Sequence, residues 1–462
     1  MSSLPGGGAA GGTEGAGGRR SDGEFVNWAG NVRFRPAGRA EPASTEQLQE
    51  LVANAARVRV VGAGHSFSPL VATSGTLVSL RRLVRPAEVD AGTGEAWVSA
   101  GATYAEVGPE LDRAGWALAN LASLPQITVA GAVVTATHGS GSANRALSDA
   151  VTGLELVGAD GTLHRLEGGA LAGAVVSLGA LGVLTRVRVR LEPSYQAAQR
   201  VWQDLPLVAA LEHLGEVLDL GWSVSLFTDW RNPDRVDQVW VKQRLHTEPP
   251  DATGAASPAA SDGRRLSGAD DPAGDADDLL DRLGARRATV QLHPLADGDP
   301  GAATEQLGRP GAWHCRLPHF RPDSSPSGAG AELQSEWLVD RADGADALGR
   351  LRGLADRLAG AVRVCEVRAV GADQAWLSPA YQRDSVALHL TWRPQPSVVW
   401  PLVAEIEAAL ADLGPRPHWA KLWQALPAIA RADDFRRLVT SHDPAGCFAN
   451  PLLERVLGAA TA

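Results

Sequence analysis

One short run, Val60-Val61-Gly62-Ala63-Gly64-His65-Ser66-Phe67-Ser68, limits what this chain can fold into more than any other segment. Two β-branched residues end a strand in glycines, with a histidine directly behind them. Glycine has no Cβ and tolerates positive φ, so the backbone can close on a ligand there. Successive N–H groups in such a turn form a concavity that favours anions. Taken alone, the run suits a tight turn with a surface histidine equally well. It does not open a helix through Gly-x-Gly-x-x-Gly, because Ser68 and Pro69 follow, which argues against a nicotinamide-type dinucleotide fold. No Gly-Lys-Ser/Thr follows it, which argues against a nucleotide-hydrolysing loop.

The chain has 462 residues, room for two or three domains with proper cores. A net charge of −10 without any basic block removes the electrostatic footprint of a nucleic-acid or anionic-membrane binder and suits small neutral substrates. Cys315, Cys365 and Cys447 are too sparse for a disulfide framework or a zinc site, and read as small buried hydrophobes. Ser2 to Gly23 lacks the apolar core of a signal peptide, and no later run is long enough to span a membrane. The expectation is a cytoplasmic monomer without metal, nucleic-acid or membrane partners. Of the 43 basic residues only Lys242 and Lys421 are lysine. Coding bias accounts for the preference for arginine. Where lysine survives, a group that can lose its proton on desolvation becomes one reading of either residue.

The pattern along the chain is α+β. Residues 1–23 read as a flexible tail, 24–195 as a first domain of strand–helix units, and 196–413 as a sheet-rich second domain. Residues 246–300 read as a mobile insertion in it, and 414–462 as a C-terminal segment. Ser44 and Gln47 mark a helix start before Leu48, Leu51 and Val52; Tyr104, Val107 and Leu111 mark a second helix ending near Gly115. Residues 183–191 alternate Val183, Thr185, Val187, Val189 and Leu191 with Arg186, Arg188 and Arg190, the pattern of a half-buried strand. Helices are expected near 342–359 and 398–413.

Two strands carry charge on apolar faces. In Val362 to Val370, Glu366 and Arg368 share a face with Val362 and Val364; in Ala387 to Trp392, His389 and Thr391 share one. Opposite charges on an apolar face must be paired if buried. The four read either as a buried ion pair with two satisfied polar residues, or as the lining of a cavity for a substrate with many hydroxyls. Arg416-Pro417-His418-Trp419-Ala420-Lys421 places a lysine beside a histidine and a tryptophan, and suits an ordinary turn as well. Ala122-Ser123-Leu124-Pro125, and the small-residue run from Val129 to Gly141, form either a tightly packed loop or a slot for a flat, phosphate-bearing ligand.

Together and in this order, these segments resemble the vanillyl-alcohol-oxidase and para-cresol-methylhydroxylase family of FAD enzymes, in its sugar-lactone and polyol oxidase branch. The likeness runs from Asn27-Trp28-Ala29-Gly30-Asn31 to the end, outside the 246–300 insertion. It rests on Gly62 to Phe67, Ala122 to Pro125, Thr137-His138-Gly139-Ser140-Gly141, Ser177 to Val183, Ser225 to Trp230, Glu366-Val367-Arg368 and His418 to Lys421. The resemblance implies a two-subdomain FAD-binding domain and a substrate (cap) domain built on a mainly antiparallel sheet with flanking helices, the C-terminal segment returning to the flavin. It implies FAD joined covalently to His65, and held by Val61, Gly62, Ala63, Gly64, Ser66, Ser123, Thr128, Gly131, Thr135, His138, Val183 and His418. It implies oxidation of the terminal primary hydroxyl of a xylitol- or sorbitol-like polyol, with O2 reduced to hydrogen peroxide. Lys421, Arg368 and Glu366 take the catalytic roles, and Ser123, His389 and Thr391 join them in binding substrate. An aldono-1,4-lactone oxidase or dehydrogenase is the alternative. Two positions depart from the family: Ala136 and Ala420 stand where glycine is usual.

Overall fold

A computed structural model describes residues 23–245, 272–324 and 332–458. Nearly all of the expected N-terminal tail, and residues 246–271 of the expected insertion, lie outside the described residues.

The first domain starts from local signals in the sequence. Ser44 Oγ accepts the Gln47 N–H at 3.3 Å and caps the helix Thr45–Asn54, whose Leu48 and Val52 face the core. The strand Val58–Val61 follows and pairs in parallel with Thr76–Ser79, which pairs in turn with Gly38–Ala40. A second, antiparallel sheet has five strands in the order Leu163–Glu167, Val151–Val157, Val183–Arg190, Glu95–Ser99 and Glu88–Asp90. In Val183–Arg190 the valines are buried, while Arg186 and Arg188 lie 5.3 and 5.5 Å from the ring of Trp97. The helix Tyr104–Arg113 begins at a capping box formed by Thr103 and Glu106. One hydrophobic core joins both small sheets, and Phe435, Leu452, Leu453 and Val456 of the C-terminal segment complete it.

The strand Gln196–Pro206 begins a third, larger sheet of nine strands, all paired antiparallel. Its centre runs Arg235–Leu245, Ser223–Thr228, Val362–Val370, Ser385–Trp392 and Leu333–Asp340, with Arg416–Pro417 at the edge. Trp337, Val367, Leu388 and Trp392 point to one face, where they pack with Leu351 of helix Gly344–Gly353 and Ile406 of helix Pro396–Leu410. Because side chains alternate along a strand, Glu336, Glu366, Arg368, His389 and Thr391 point to the other face, toward the first domain. There Gly141 N–H donates to Ala369 O at 2.9 Å.

Residues 272–300 differ from the expected mobile insertion. Pro272–Arg282 is a helix with Ala276 and Leu280 fully buried, and Arg286–Arg287 pairs with Trp202 and Gln203 of the large sheet. The apolar stripe is only a few residues wide and sits among Asp, Ala and Gly, so composition conceals it. After Arg416–Pro417 the chain returns to the first domain, where Cys447 O accepts the Val58 N–H at 2.8 Å. No helix among the described residues is long and apolar enough to cross a membrane.

Candidate active site

The glycine turn is braced from two directions. Asn27 Nδ2 donates to Ser66 O at 2.9 Å, Asn31 Nδ2 to Phe67 O at 2.8 Å, and the Trp28 N–H to Gly64 O at 2.9 Å. From the far end of the chain, Ala420 O accepts the Phe67 N–H at 2.7 Å, so the His418–Lys421 segment is fastened to the turn. A Cβ on Gly62 would stand 2.2 Å from Thr128 Oγ1, and one on Gly131 2.9 Å from the same oxygen. Thr128 itself caps the short helix Val129–Val134, and the Thr135 hydroxyl donates to Gly131 O at 2.8 Å. Gly62 and Gly131 therefore let the Val61–Ser66 turn and the start of helix Val129–Val134 close tightly on the Thr128 side chain. Ala136 has φ +54. Glycine adopts that conformation without the 1–2 kcal/mol or so that it costs an alanine, which gives a reason for glycine being usual there.

The turn Ser177 to Gly182 leads into Val183 and is held by a residue the sequence reading did not single out. Arg59 is buried and donates to Leu178 O at 2.8 Å, Gly179 O at 3.0 Å, Leu70 O at 2.6 Å and Phe448 O at 2.9 Å.

His65 stacks on Trp28, ring centroids 5.1 Å apart and planes 21° apart. Both of its ring nitrogens are shielded from solvent, and neither has a hydrogen-bond partner of acceptable geometry among the described residues. Burial pushes its pKa down to about 4, so the imidazole is neutral at ordinary pH.

The polar residues of the large sheet converge on one that the sequence reading missed. Glu336, from Leu333–Asp340, is fully buried. Its Oε1 lies 2.5 Å from Arg368 Nη2 and 3.2 Å from His138 Nε2; its Oε2 lies 2.8 Å from Lys421 Nζ. Lys421 Nζ is also 2.6 Å from His389 Nδ1, and His389 Nε2 is 3.1 Å from Thr391 Oγ1. Arg368 Nε lies 3.5 Å from Glu366 Oε1, and Nη1 lies 3.5 Å from Ser123 Oγ. His418 stacks obliquely near His138, centroids 6.0 Å apart. The structure thus gathers Ser123, His138, Glu366, Arg368, His389, Thr391, His418 and Lys421. Strand register does most of this: Glu366 stands opposite His389, which stands opposite Glu336.

The charges in this cluster compensate one another. Burial alone would raise the Glu336 carboxyl, but Lys421, Arg368 and His138 together hold it well below the usual carboxylate range. Glu366 is lowered against the same penalty by Arg368 and His319. Arg368 is raised by its two carboxylates although burial opposes this. Burial lowers Lys421, with Glu336 opposing and Arg368 assisting. Burial and the neighbouring Lys421 bring His389 down to about 4. A lysine poised below its ordinary value beside a permanent guanidinium can take a proton from a hydroxyl whose oxygen gains negative charge.

His319 extends the cluster and was also missed. It sits in a loop without periodicity, and its Nε2 is 2.8 Å from Glu366 Oε1. Glu336 left little signal, because Leu333–Asp340 also carries Gln334, Ser335 and Asp340 and one more polar residue does not stand out there.

Comparison with known proteins fits this arrangement. The family described as FAD binding domain matches residues 36–167, and that described as D-arabinono-1,4-lactone oxidase matches residues 331–456. The chain is 40% identical to an alditol oxidase of a Streptomyces species over 94% of its own length and 98% of that protein. It is 29% identical to an L-gulono-1,4-lactone dehydrogenase of Mycobacterium tuberculosis, over 94% of this chain and 99% of the other. It is 26% identical to the L-gulonolactone oxidase of Bos taurus, over 94% and 98%. Among solved structures, a cholesterol oxidase of B. sterolicum shares the fold, with a TM-score of 0.69 at 15% identity over 94% of this chain and 96% of that one.

Proposed function

The chain belongs to the vanillyl-alcohol-oxidase-type FAD family, in the branch of alditol and sugar-lactone oxidases, and on that premise we propose that it oxidises the terminal primary hydroxyl of an alditol to the aldehyde, with O2 as electron acceptor. One observation carries the reading: Ser123, Glu366, Arg368, His389, Thr391 and Lys421 turn hydrogen-bonding groups toward one another at the meeting of the two domains. A site of this kind accepts a chain of hydroxyls and rejects molecules that leave its buried polar groups unmatched.

The residues present fit FAD. Gly62 and Gly131 let the glycine turn and the start of helix Val129–Val134 close on Thr128, Gly64 adopts the positive φ of the turn, and Arg59 fixes the turn before Val183. Val61 to Ser66, Thr128, Gly131, Thr135 and Val183 would hold the cofactor. Ser123, His138 and His418 would border it on the polyol side. His65, neutral and with no hydrogen-bond partner of acceptable geometry on either nitrogen among the described residues, is the group we assign to a covalent bond with the flavin. Bound FAD supplies a two-electron acceptor for the hydride lost from the substrate carbon and delivers the electrons to O2 as hydrogen peroxide.

The protein supplies placement and proton handling. As C1 loses its hydride, its hydroxyl must lose a proton. Lys421 Nζ accepts or orients that proton, steadied by Glu336 Oε2 at 2.8 Å and His389 Nδ1 at 2.6 Å. Arg368 stays charged and stabilises the developing alkoxide. Glu366 orients Arg368 and binds a further hydroxyl. His389 Nδ1 accepts a hydrogen bond from Lys421, so its Nε2–H donates to Thr391, whose own hydroxyl proton is then available to the polyol.

An aldono-1,4-lactone is the alternative substrate, because the stretch matching the D-arabinono-1,4-lactone oxidase family includes Glu366, Arg368 and Lys421. Peroxide release from the purified holoprotein tests the assignment. Xylitol or sorbitol should give peroxide, and a response to 1,4-lactones alone would transfer the assignment to the alternative.

A further inference from the structure

Lys242 is the chain's other lysine and lies on Arg235–Leu245, opposite Ser223 in register and fully buried. Its Nζ is 2.5 Å from Leu317 O, 3.1 Å from Pro318 O and 2.9 Å from His319 Nδ1, so each of the three ammonium donors has a partner. The loop it grips is built in from other sides too. Thr304 Oγ1 donates to Pro318 O at 2.8 Å, the Thr304 N–H donates to His319 O at 2.9 Å, and the His319 N–H donates to Ser123 O at 3.1 Å. The rings of Trp240 and Phe227 stand edge-on to His319, centroids 5.3 and 5.6 Å away.

We infer that Lys242 is a positioning residue for the polyol site, acting through His319 to hold Glu366 in place beside Arg368. The inference rests on the reading of Glu366 and Arg368 as polyol ligands. An ammonium only donates, so His319 Nδ1 is the acceptor and Nε2 carries the proton. That Nε2–H donates to Glu366 Oε1 at 2.8 Å. Arg368 Nε approaches the same oxygen at 3.5 Å, which leaves Glu366 Oε2 for a substrate hydroxyl. The pinned loop also sets Ser123, through the carbonyl that receives the His319 N–H. Lys242 thus positions two substrate ligands without touching substrate.

The charged groups facing Lys242 and His319 are Glu366 and Arg368 of Val362–Val370; the strands Ser223–Thr228 and Arg235–Leu245 contribute Ser225, Phe227 and Trp240, and the preceding loop contributes Thr304. Burial brings Lys242 down to about 7 against the pull of Glu366. Burial and the Lys242 cation bring His319 to about 4. Removing Lys242 takes away a neighbouring positive charge and leaves Glu366, so the His319 midpoint must rise.

Lys242→Met in the holoprotein tests the chain of contacts by two readouts. Nitrogen-15 histidine NMR, assigned with a His319 variant and recorded without polyol, should show the His319 midpoint raised by about one pH unit or more. At pH 6, KM for xylitol should rise at least about tenfold while the limiting rate of anaerobic flavin reduction changes little, the size expected for a lost hydrogen bond to a charged group. His319→Ala should show the same KM rise, and His319→Gln, whose amide both accepts and donates, should recover most of it. An unmoved His319 midpoint in Lys242→Met, or a wild-type KM in both Lys242→Met and His319→Ala, overturns the inference. A wild-type holoprotein that no polyol reduces overturns the proposed function instead, and the NMR midpoint still decides whether Lys242 controls His319.

Discussion

Lys421 and Lys242 end the same buried polar chain, each within hydrogen-bonding distance of a histidine Nδ1, 2.6 Å to His389 and 2.9 Å to His319. Between them run Glu336, Arg368 and Glu366, alternating in sign. A protein that otherwise uses arginine has placed both of its lysines here. Lysine's compact ammonium can be lowered by burial and can yield a proton, whereas a guanidinium stays charged. Arg368 is the one fixed cation between them.

Glu336→Gln removes the carboxylate shared by Arg368 and Lys421 and leaves two buried cations under-compensated. Loss of one partner from a buried ion pair costs about 3–5 kcal/mol, and a denaturant titration at pH 7 should show a loss of that order. The Glu336 carboxyl is held well below its ordinary value of 4.5. Its contribution is therefore complete above about pH 4.5 and fades as pH falls toward the folded-state value. The wild type and Glu336→Gln should converge in stability on acidification. A gap that stays constant down to pH 3 contradicts the assignment of Glu336 as the ionised hub.

Lys421→Met keeps the glycine turn and its Phe67–Ala420 hydrogen bond, which uses backbone atoms only. FAD should remain bound, while anaerobic flavin reduction by xylitol should fall by at least about a hundredfold, the scale of a lost acid–base group. Reduction at near-normal rates in stopped-flow absorbance removes Lys421 from the proton step.

Gly62→Ala sets a methyl group where only 2.2 Å separates its position from Thr128 Oγ1. The backbone or Thr128 must shift, and with it the packing of Val61–Ser66 against Thr128–Thr135. The ratio of flavin to protein absorbance after purification should drop well below that of the wild type. A full complement of FAD would show that this packing does not shape the cofactor's seat.

His65→Ala should leave a folded protein, since the His65 ring stacks on Trp28 and its nitrogens have no hydrogen-bond partner of acceptable geometry among the described residues. After acid precipitation, yellow colour should stay with the wild-type chain and pass into the supernatant from the variant. Colour retained by the variant contradicts the linkage at His65.

Strand alternation made part of the site legible in the sequence. Period two alone puts Glu366 with Arg368 and His389 with Thr391, and the structure adds only that the two strands are neighbours. Glu336 was out of reach because its partners come from register: Leu333–Asp340 inserts beside Ser385–Trp392, and nothing local in Leu333 to Asp340 specifies that pairing. His319 and Arg59 act from a loop and from a short strand, through carbonyls brought from distant segments, and such contacts leave no periodic trace. The helix Pro272–Arg282 shows the opposite failure, where Ala276 and Leu280 suffice to anchor a segment whose composition reads as loop.

The central claim is that this site oxidises an alditol through bound FAD. The most direct measurement is anaerobic mixing of the holoprotein with xylitol, sorbitol and an aldono-1,4-lactone, followed by flavin absorbance near 450 nm. The account predicts that the polyols bleach the flavin rapidly and that admitting O2 restores the colour with release of peroxide. An oxidised spectrum that persists with both polyols, while the lactone bleaches it, would contradict the account.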